Sequence, residues 1–349
     1  MQYQTLTIEN FRSISRLEIS NMRSVNLLVG RNNCGKTTVL EGIFLLSGMS
    51  NPQLPFNIHR FRDLNLASDE DFGVMFRNLD FSLPIQLQGE INGHERHLKI
   101  TPDYAYYSPM GDDKMPINQP VPVSTAASIR MVEGINLDFE TDKKEKYHGE
   151  FHIKEGKVTI AGKYVEGLTC TYLNPRIATL VNEKFMENLL VQKRLDTLLT
   201  VLKEIVPTIE DVRMGAQNKV YVDIGAERLI PINVMGDGMR KILNYLASIN
   251  GITNGVLLID EIENGLHYSS LSTTWKALFS ACRENKVQVI ATTHSYECVQ
   301  AFSKSYEVFE PGGDDIRLFR IEKDGENHRA VTYDAEVLRA GLEKDFEVR

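Results

Sequence analysis

Val25-Asn26-Leu27-Leu28-Val29-Gly30-Arg31-Asn32-Asn33-Cys34-Gly35-Lys36-Thr37-Thr38 decides how the rest of this chain reads. The apolar run predicts a buried strand that ends at Gly30. Val39-Leu40-Glu41-Gly42-Ile43-Phe44-Leu45-Leu46 then continues with helical character. Between them stands G-x-x-x-x-G-K-T, flanked by strand and helix in the order a phosphate loop requires. Such a loop wraps backbone N–H groups around phosphates, and the new helix points its partial positive end at the same anion. Lys36 would reach the β- and γ-phosphates of a nucleotide, and the Thr37 hydroxyl would coordinate Mg²⁺. Gly30, Arg31, Asn32, Asn33, Cys34, Gly35, Lys36, Thr37 and Thr38 are therefore the candidate nucleotide-binding residues.

Working outward, 349 residues allow one large α/β domain or two smaller ones. The 42% hydrophobic and 25% charged content is that of an ordinary soluble globular protein. Met1 is followed by Gln-Tyr-Gln-Thr, without the basic and apolar regions of a secretory signal. No apolar run approaches the ~20 residues of a membrane span. The cysteines (34, 170, 282 and 298) are scattered, with no pair at metal-ligand spacing, which fits reduced thiols in a cytosol. A net charge of −8 argues against a basic coat but does not exclude a local nucleic-acid groove.

Two strands are expected before the loop strand, over residues 3 to 9 and around Leu17-Glu18-Ile19. Nucleotide folds of the simplest kind have none there, so an antiparallel β-portion should lie beside a parallel core. Residues 50 to 170 read as a β-rich, antiparallel insertion lobe. Within it, residues 102 to 128 carry Pro102, Pro109, Pro116, Pro120 and Pro122, the composition of a long exposed loop. Thr169 to Leu173 looks like a strand returning to the core. Ile177 to Val206 has apolar residues at helical spacing, closed by Pro207, and is too short for a long coiled-coil arm. A closing hairpin (Asp315 to Ile321, Arg329 to Tyr333) and a last helix (Ala335 to Leu342) complete the chain.

Three further blocks carry chemistry. Gly236-Asp237-Gly238 opens a helix and exposes backbone N–H groups to an anion, although G-D-G is also a plain turn. Gly255-Val256-Leu257-Leu258-Ile259-Asp260-Glu261 is a strand buried on both faces that delivers two carboxylates at its end. Asp260 would hold Mg²⁺ and Glu261 would act as general base on the attacking water. Val287 to Thr293 is another core strand, ending in His294, which can reach a γ-phosphate. Glu263 or His267 could act across a dimer interface, or each could equally be a surface or capping group.

The order of these blocks resembles the ABC-type ATPases. Within them it is similar to the soluble branch of structural-maintenance-of-chromosomes, RecF-like and OLD (overcoming lysogenization defect) proteins. Ile8-Glu9-Asn10-Phe11-Arg12-Ser13-Ile14, the phosphate loop, Asp260-Glu261-Ile262-Glu263-Asn264-Gly265-Leu266-His267 and Thr293-His294-Ser295 all look like the OLD-like branch. The resemblance implies an α/β ABC-type P-loop ATPase head over residues 1–349, with an antiparallel β-subdomain, a helical subdomain and the insertion. It implies ATP and Mg²⁺ as cofactors, with Lys36, Glu261 and His294 catalytic. It also implies a head-to-tail homodimer or higher homo-oligomer in which these residues face Gly236, Asp237 and Gly238 of a second head. Met-Gly-Asp-Gly-Met departs from the usual Leu-Ser-Gly-Gly-Gln signature, and the glutamine-bearing loop is not placed. About fifty residues follow His294, too few for a TOPRIM-like nuclease. A partner effector, nuclease or toxin, would then be a separate chain, as in two-gene anti-phage systems. The alternative is a RecF-like DNA-repair or DNA-loading ATPase.

Overall fold

The computed structural model describes residues 1–64, 72–107, 129–152, 157–161, 164–175, 191, 195–215 and 220–344. β1 (Tyr3–Phe11) and β2 (Ile14–Ser20) alternate buried and open positions and pair antiparallel as a hairpin. β3 (Val25–Val29) is buried at every position, its apolar run broken only by Asn26, whose amide nitrogen donates to the Val289 carbonyl. It feeds α1 (Lys36–Ser47), and α2 (Leu54–Arg60) follows. Next come β4 (Ile85–Ile91), β5 (His94–Tyr107), β6 (Ile129–Thr141), β7 (Lys146–His152) and β8 (Lys157–Ala161).

These five strands lie within the β-rich stretch at residues 50 to 170 and pair antiparallel. They extend the first hairpin into one seven-stranded antiparallel sheet, ordered β2-β1-β4-β5-β6-β7-β8. The expected long loop is also shorter at its start, because Pro102 lies inside β5, opposite Ile135. Pairing between β4 and β5 stops at Ile85 and Ile100, so beyond that point β5 has a neighbour on one side only. A proline lacks an N–H to offer and is tolerated at such an edge. Residues 108 to 128 lie outside the described residues.

The second sheet is built by β9 (Cys170–Leu173), β13 (Val256–Ile259), β14 (Gln288–Thr292), β15 (Ile316–Asp324) and β16 (Asn327–Tyr333), together with β3. Its order is β16-β15-β3-β14-β13-β9, parallel except for β16. A small sheet of β10 (Asp211–Met214), β11 (Val220–Asp223) and β12 (Ile230–Pro231) stands apart in sequence from both. The remaining helices are α3 (Leu195–Ile205), α4 (Asp237–Asn250), α5 (Leu271–Asn285), α6 (Tyr296–Phe309) and α7 (Ala335–Glu343). Of the helical stretch read at 177–206, residues 177–190 and 192–194 lie outside the described residues.

The parallel sheet is the middle layer, and its two-residue side-chain period sorts the core. Leu27, Leu257, Ile259, Val289 and Ala291 face the helices α3 to α6 around the buried Trp275. Leu28, Leu258 and Ile290 face the other way, toward α1 and the antiparallel sheet. Gln288 joins the two sheets: its amide oxygen accepts from the Tyr3 N–H (2.7 Å), and its nitrogen donates to the carbonyls of Tyr3 and Arg23 (both 2.8 Å). The side chain is fully buried and stands in for a peptide group.

Candidate active site

β3, β14 and β13 are neighbours, so their C-terminal ends lie side by side. One edge therefore gathers Gly30, the Thr292-Thr293-His294 run and the Asp260-Glu261 pair. Ligands of open parallel sheets bind at such an edge. A cleft of about 840 Å³ opens there, lined by Asn32 to Thr38, Asp260, Glu261 and Thr292 to His294.

The loop has the backbone that its glycines permit. Gly30 has φ +139°, and a Cβ there would stand 2.4 Å from the Ile321 carbonyl oxygen. Gly35 is left-handed (φ +101°) and caps α1, so the helix begins at Lys36. Asn33 is also left-handed, at φ 60°, a conformation asparagine tolerates. The Lys36 ammonium donates to the carbonyls of Gly30 (2.7 Å) and Arg31 (3.1 Å) at the loop mouth. Cys34 lines the cleft but is almost wholly buried, and the cysteines at 34, 170, 282 and 298 are all free thiols.

Asp260 is the junction of the site. Its Oδ1 accepts from the hydroxyls of Thr292 (2.6 Å) and Thr37 (3.2 Å), and Oδ2 from Tyr172 (3.5 Å). Burial pushes this carboxyl above the usual range, while the Thr292 and Thr37 hydroxyls pull it back and the charges of Glu261 and Glu41 push it further up. Glu261 follows in a left-handed conformation (φ 51°), and its N–H donates to Thr292 Oγ1 at 2.8 Å. Thr292 thus ties both acidic residues to the strand that ends in His294. The His294 imidazole is more than half exposed, with Nδ1 2.9 Å from Glu263 Oε1.

Several of these groups were invisible in the sequence reading. Thr292 is one. A second is Glu41, buried within α1 and held by Arg12 (Nε–Oε2 2.8 Å) and Arg62 (Nε–Oε1 2.7 Å), both of which line the cleft. The signal was a lone carboxylate in an apolar helix, five residues beyond Lys36. At the end of β9 the residue beside Asp260 is Asn174, not glutamine, and the preceding Leu173 carbonyl accepts from the Asp260 N–H at 3.0 Å. Val74 and the exposed Leu79 line the same cleft.

Gly236, Asp237 and Gly238 lie elsewhere. Gly236 caps α4, and Asp237 begins it with an ion pair to Arg240 at 3.7 Å. A Cβ on Gly238 would stand 3.1 Å from the Gly265 carbonyl oxygen, on the turn that follows Glu261. None of the three is among the described residues that line the cleft.

Parallel core, flanking antiparallel sheet and loop geometry give the chain the fold of an ABC-type ATPase head. Solved structures similar across the chain include an Smc head bound to the C-winged-helix domain of ScpA, with TM-score 0.53, 10% identity and coverage of 98% of this chain and 100% of that one. Another is an Smc head with extended coiled coil, bound to the C-terminal domain of ScpA derived from Pyrococcus furiosus (TM-score 0.50, 11% identity, 99% of each chain). Residues 1–188 match the family described as "AAA ATPase domain", and residues 164–299 that described as "AAA domain, putative AbiEii toxin, Type IV TA system". An "ATP/GTP phosphatase" of Helicobacter pylori is 21% identical over a 380-residue alignment covering 98% of both chains. The "DNA replication and repair protein RecF" of Idiomarina loihiensis is 32% identical over 87 residues, which are 25% of this chain and 23% of RecF. The chain belongs to the AAA ATPase domain family. It is an ATPase that uses ATP with Mg²⁺. The left-handed Gly35, the helix start at Lys36 and the Thr37–Asp260 contact fit a magnesium-bound nucleotide. Among the described residues, no helix is long and apolar enough to cross a membrane.

Proposed function

We propose that this chain is one OLD-like ATPase head that pairs head-to-tail with a second copy around ATP and thereby controls a separate effector in anti-phage defence. One observation carries the pairing. Phosphate loop, Asp260, Glu261 and His294 share a cleft, whereas Gly236-Asp237-Gly238 opens its helix outside that cleft. A second copy would bring those N–H groups to the open side.

The roles follow from position. Lys36 and the N–H groups from Asn32 to Thr38 neutralise and orient the phosphates. Thr37 and Asp260 would hold Mg²⁺, with phosphate and water oxygens completing its shell. That ion supplies charge neutralisation at the β- and γ-phosphates when bound. Glu261 takes the proton of the attacking water, and His294 hydrogen-bonds the γ-phosphate from the opposite side. Arg12 and Arg62, oriented by Glu41, add positive charge along the cleft wall.

Nucleotide binding, single-turnover hydrolysis and sizing with ATP test this. Lys36→Ala should abolish ATP binding. Glu261→Gln should bind ATP, hydrolyse it roughly 10²–10⁴-fold more slowly, and accumulate dimer. Normal turnover in Glu261→Gln sinks the base assignment, and an ATP-independent mass sinks the sandwich. The short RecF-like matches favour a second reading, a DNA-repair or DNA-loading ATPase. It predicts hydrolysis stimulated by DNA and indifferent to phage challenge.

A further inference from the structure

We infer that Lys323 is a further nucleotide-binding residue: its ammonium takes the phosphate nearest the nucleoside, at the end of the cleft away from Asp260 and His294. The inference rests on the placement of the triphosphate proposed above. Four neighbouring strands of the parallel sheet end along that edge in the order β13, β14, β3, β15. Asp260 and Glu261 follow β13, His294 follows β14, and the phosphate loop follows β3. A nucleotide whose terminal phosphate meets Asp260 and His294, and whose next phosphate sits in the loop, continues toward β15. Lys323 stands on that strand, one residue before its end. It lines the cleft together with Asn32 to Thr38. It also lines a second hollow of about 670 Å³ between the loop and the stretch from Arg320 to Asp324.

The hairpin that carries Lys323 is seated against the loop. Gly30 leaves room for the Ile321 carbonyl, Ser15 Oγ donates to the Glu326 carbonyl at 2.5 Å, and Arg77 pairs with Glu326. Lys323 is directly opposite His328 in the antiparallel pairing of β15 and β16, so the two side chains share a face. His328 is buried on that face, with Cδ2 3.9 Å from where a Gly35 Cβ would stand. The register thus sets Lys323 beside the residue that caps α1. Burial pushes the His328 imidazole below its usual range, and the charges of Lys323 and Arg77 push the same way. That ring is therefore neutral at pH 7 and adds no charge of its own. Arg320 and Arg329 are held by Glu322, and Arg77 by Glu326. The exposed Lys323 ammonium has no ion pair or hydrogen bond among the described residues. A compact charge on a flexible four-carbon stem binds phosphate as a point charge, without a fixed fork to align.

The test is calorimetric titration of the full chain with ATP, ADP and inorganic pyrophosphate, each with Mg²⁺, and steady-state hydrolysis alongside. ATP and ADP both carry the phosphate next to the nucleoside. Pyrophosphate fills only two positions, and Lys36, Thr37 and Asp260 draw it to the two farthest from the nucleoside. Lys323→Gln should weaken ATP and ADP about tenfold, the loss of one charge-assisted hydrogen bond, and leave pyrophosphate within about twofold. KM for ATP should rise by the same factor with kcat within about twofold, because Lys323 lies away from the phosphate that leaves. Lys323→Arg should keep most of the affinity. Lys99→Gln removes the same charge from an exposed position on the antiparallel sheet and should change nothing. Because Lys323 is exposed, its variants should fold as the wild type does. Unchanged ATP and ADP affinity in Lys323→Gln overturns the inference. An equal loss for pyrophosphate, or in Lys99→Gln, overturns it as well. ATP binding retained by Lys36→Ala removes instead the placement of the triphosphate, whereas its loss there with none in Lys323→Gln removes Lys323 alone.

Discussion

Replacing Glu41 by glutamine removes the charge that holds two arginines at the wall of the cleft. Glu41 is 1% exposed, Arg12 7% and Arg62 34%. Arg12 donates through Nε at 2.8 Å and Arg62 through Nε at 2.7 Å and Nη2 at 3.0 Å. The two legs differ in weight. Arg12 is nearly enclosed, so its guanidinium becomes a buried cation without its carboxylate, and breaking such a pair costs about 3–5 kcal/mol. Arg62 can turn outward, and its leg is worth no more than about 0.2–1 kcal/mol. Burial already pulls Arg12 below its ordinary pKa, with Glu41 pulling it back, so the carboxylate is what keeps that charge tolerable. Glu41→Gln should therefore lose about 3–5 kcal/mol, almost all through Arg12. Urea unfolding is the assay, followed by circular dichroism and by the fluorescence of the single Trp275, which lies in the other core. The double variant Glu41→Leu/Arg12→Met, which exchanges charges for apolar volume, should recover most of the loss. A cost below about 1 kcal/mol in Glu41→Gln, or a double variant no better than the single, would refute the reasoning.

Two further substitutions probe the loop and the strand beside it. Thr292→Val keeps the shape but deletes the hydroxyl between Asp260 and the Glu261 N–H; activity at limiting Mg²⁺ should fall about 10–100-fold, and an unchanged magnesium titration would count against the junction. Gly30→Ala puts a methyl group 2.4 Å from a backbone carbonyl at φ +139°; it should cost at least about 1–3 kcal/mol from backbone conformation alone and lose nucleotide binding, as equilibrium dialysis and thermal melts would report.

The parts of the site that a sequence shows are those whose cause is local. β3, loop and α1 follow one another without a break, and β13 and β14 are buried at every position because both faces are covered. Motif and burial pattern coincide there, so the helix start at Lys36 and the strand ends before Asp260 and His294 were legible. What stayed hidden is long-range. Glu41 meets Arg12 across 29 residues, and Thr292 meets Asp260 across 32. Nothing near Thr292 distinguishes its hydroxyl from that of Thr293. The alternation in β4 to β8 marked which face of each strand is buried but not which strand lies beside it. For that reason the pairing of β4 with β1 could not be read in advance. Glu263 could be singled out only as one of two open candidates, because its carboxylate accepts from a backbone N–H 31 positions away.

Gln288 is fastened to Tyr3 and Arg23 at the first residue of β14, and Thr292 is the last residue of the same strand. Four residues at about 3.3 Å each make a rod of about 13 Å between them. The outer sheet cannot tilt on the inner one without pulling that rod or snapping three enclosed hydrogen bonds. Force applied to the broad antiparallel face is thus delivered endwise to the place where Asp260, Glu261 and His294 are held.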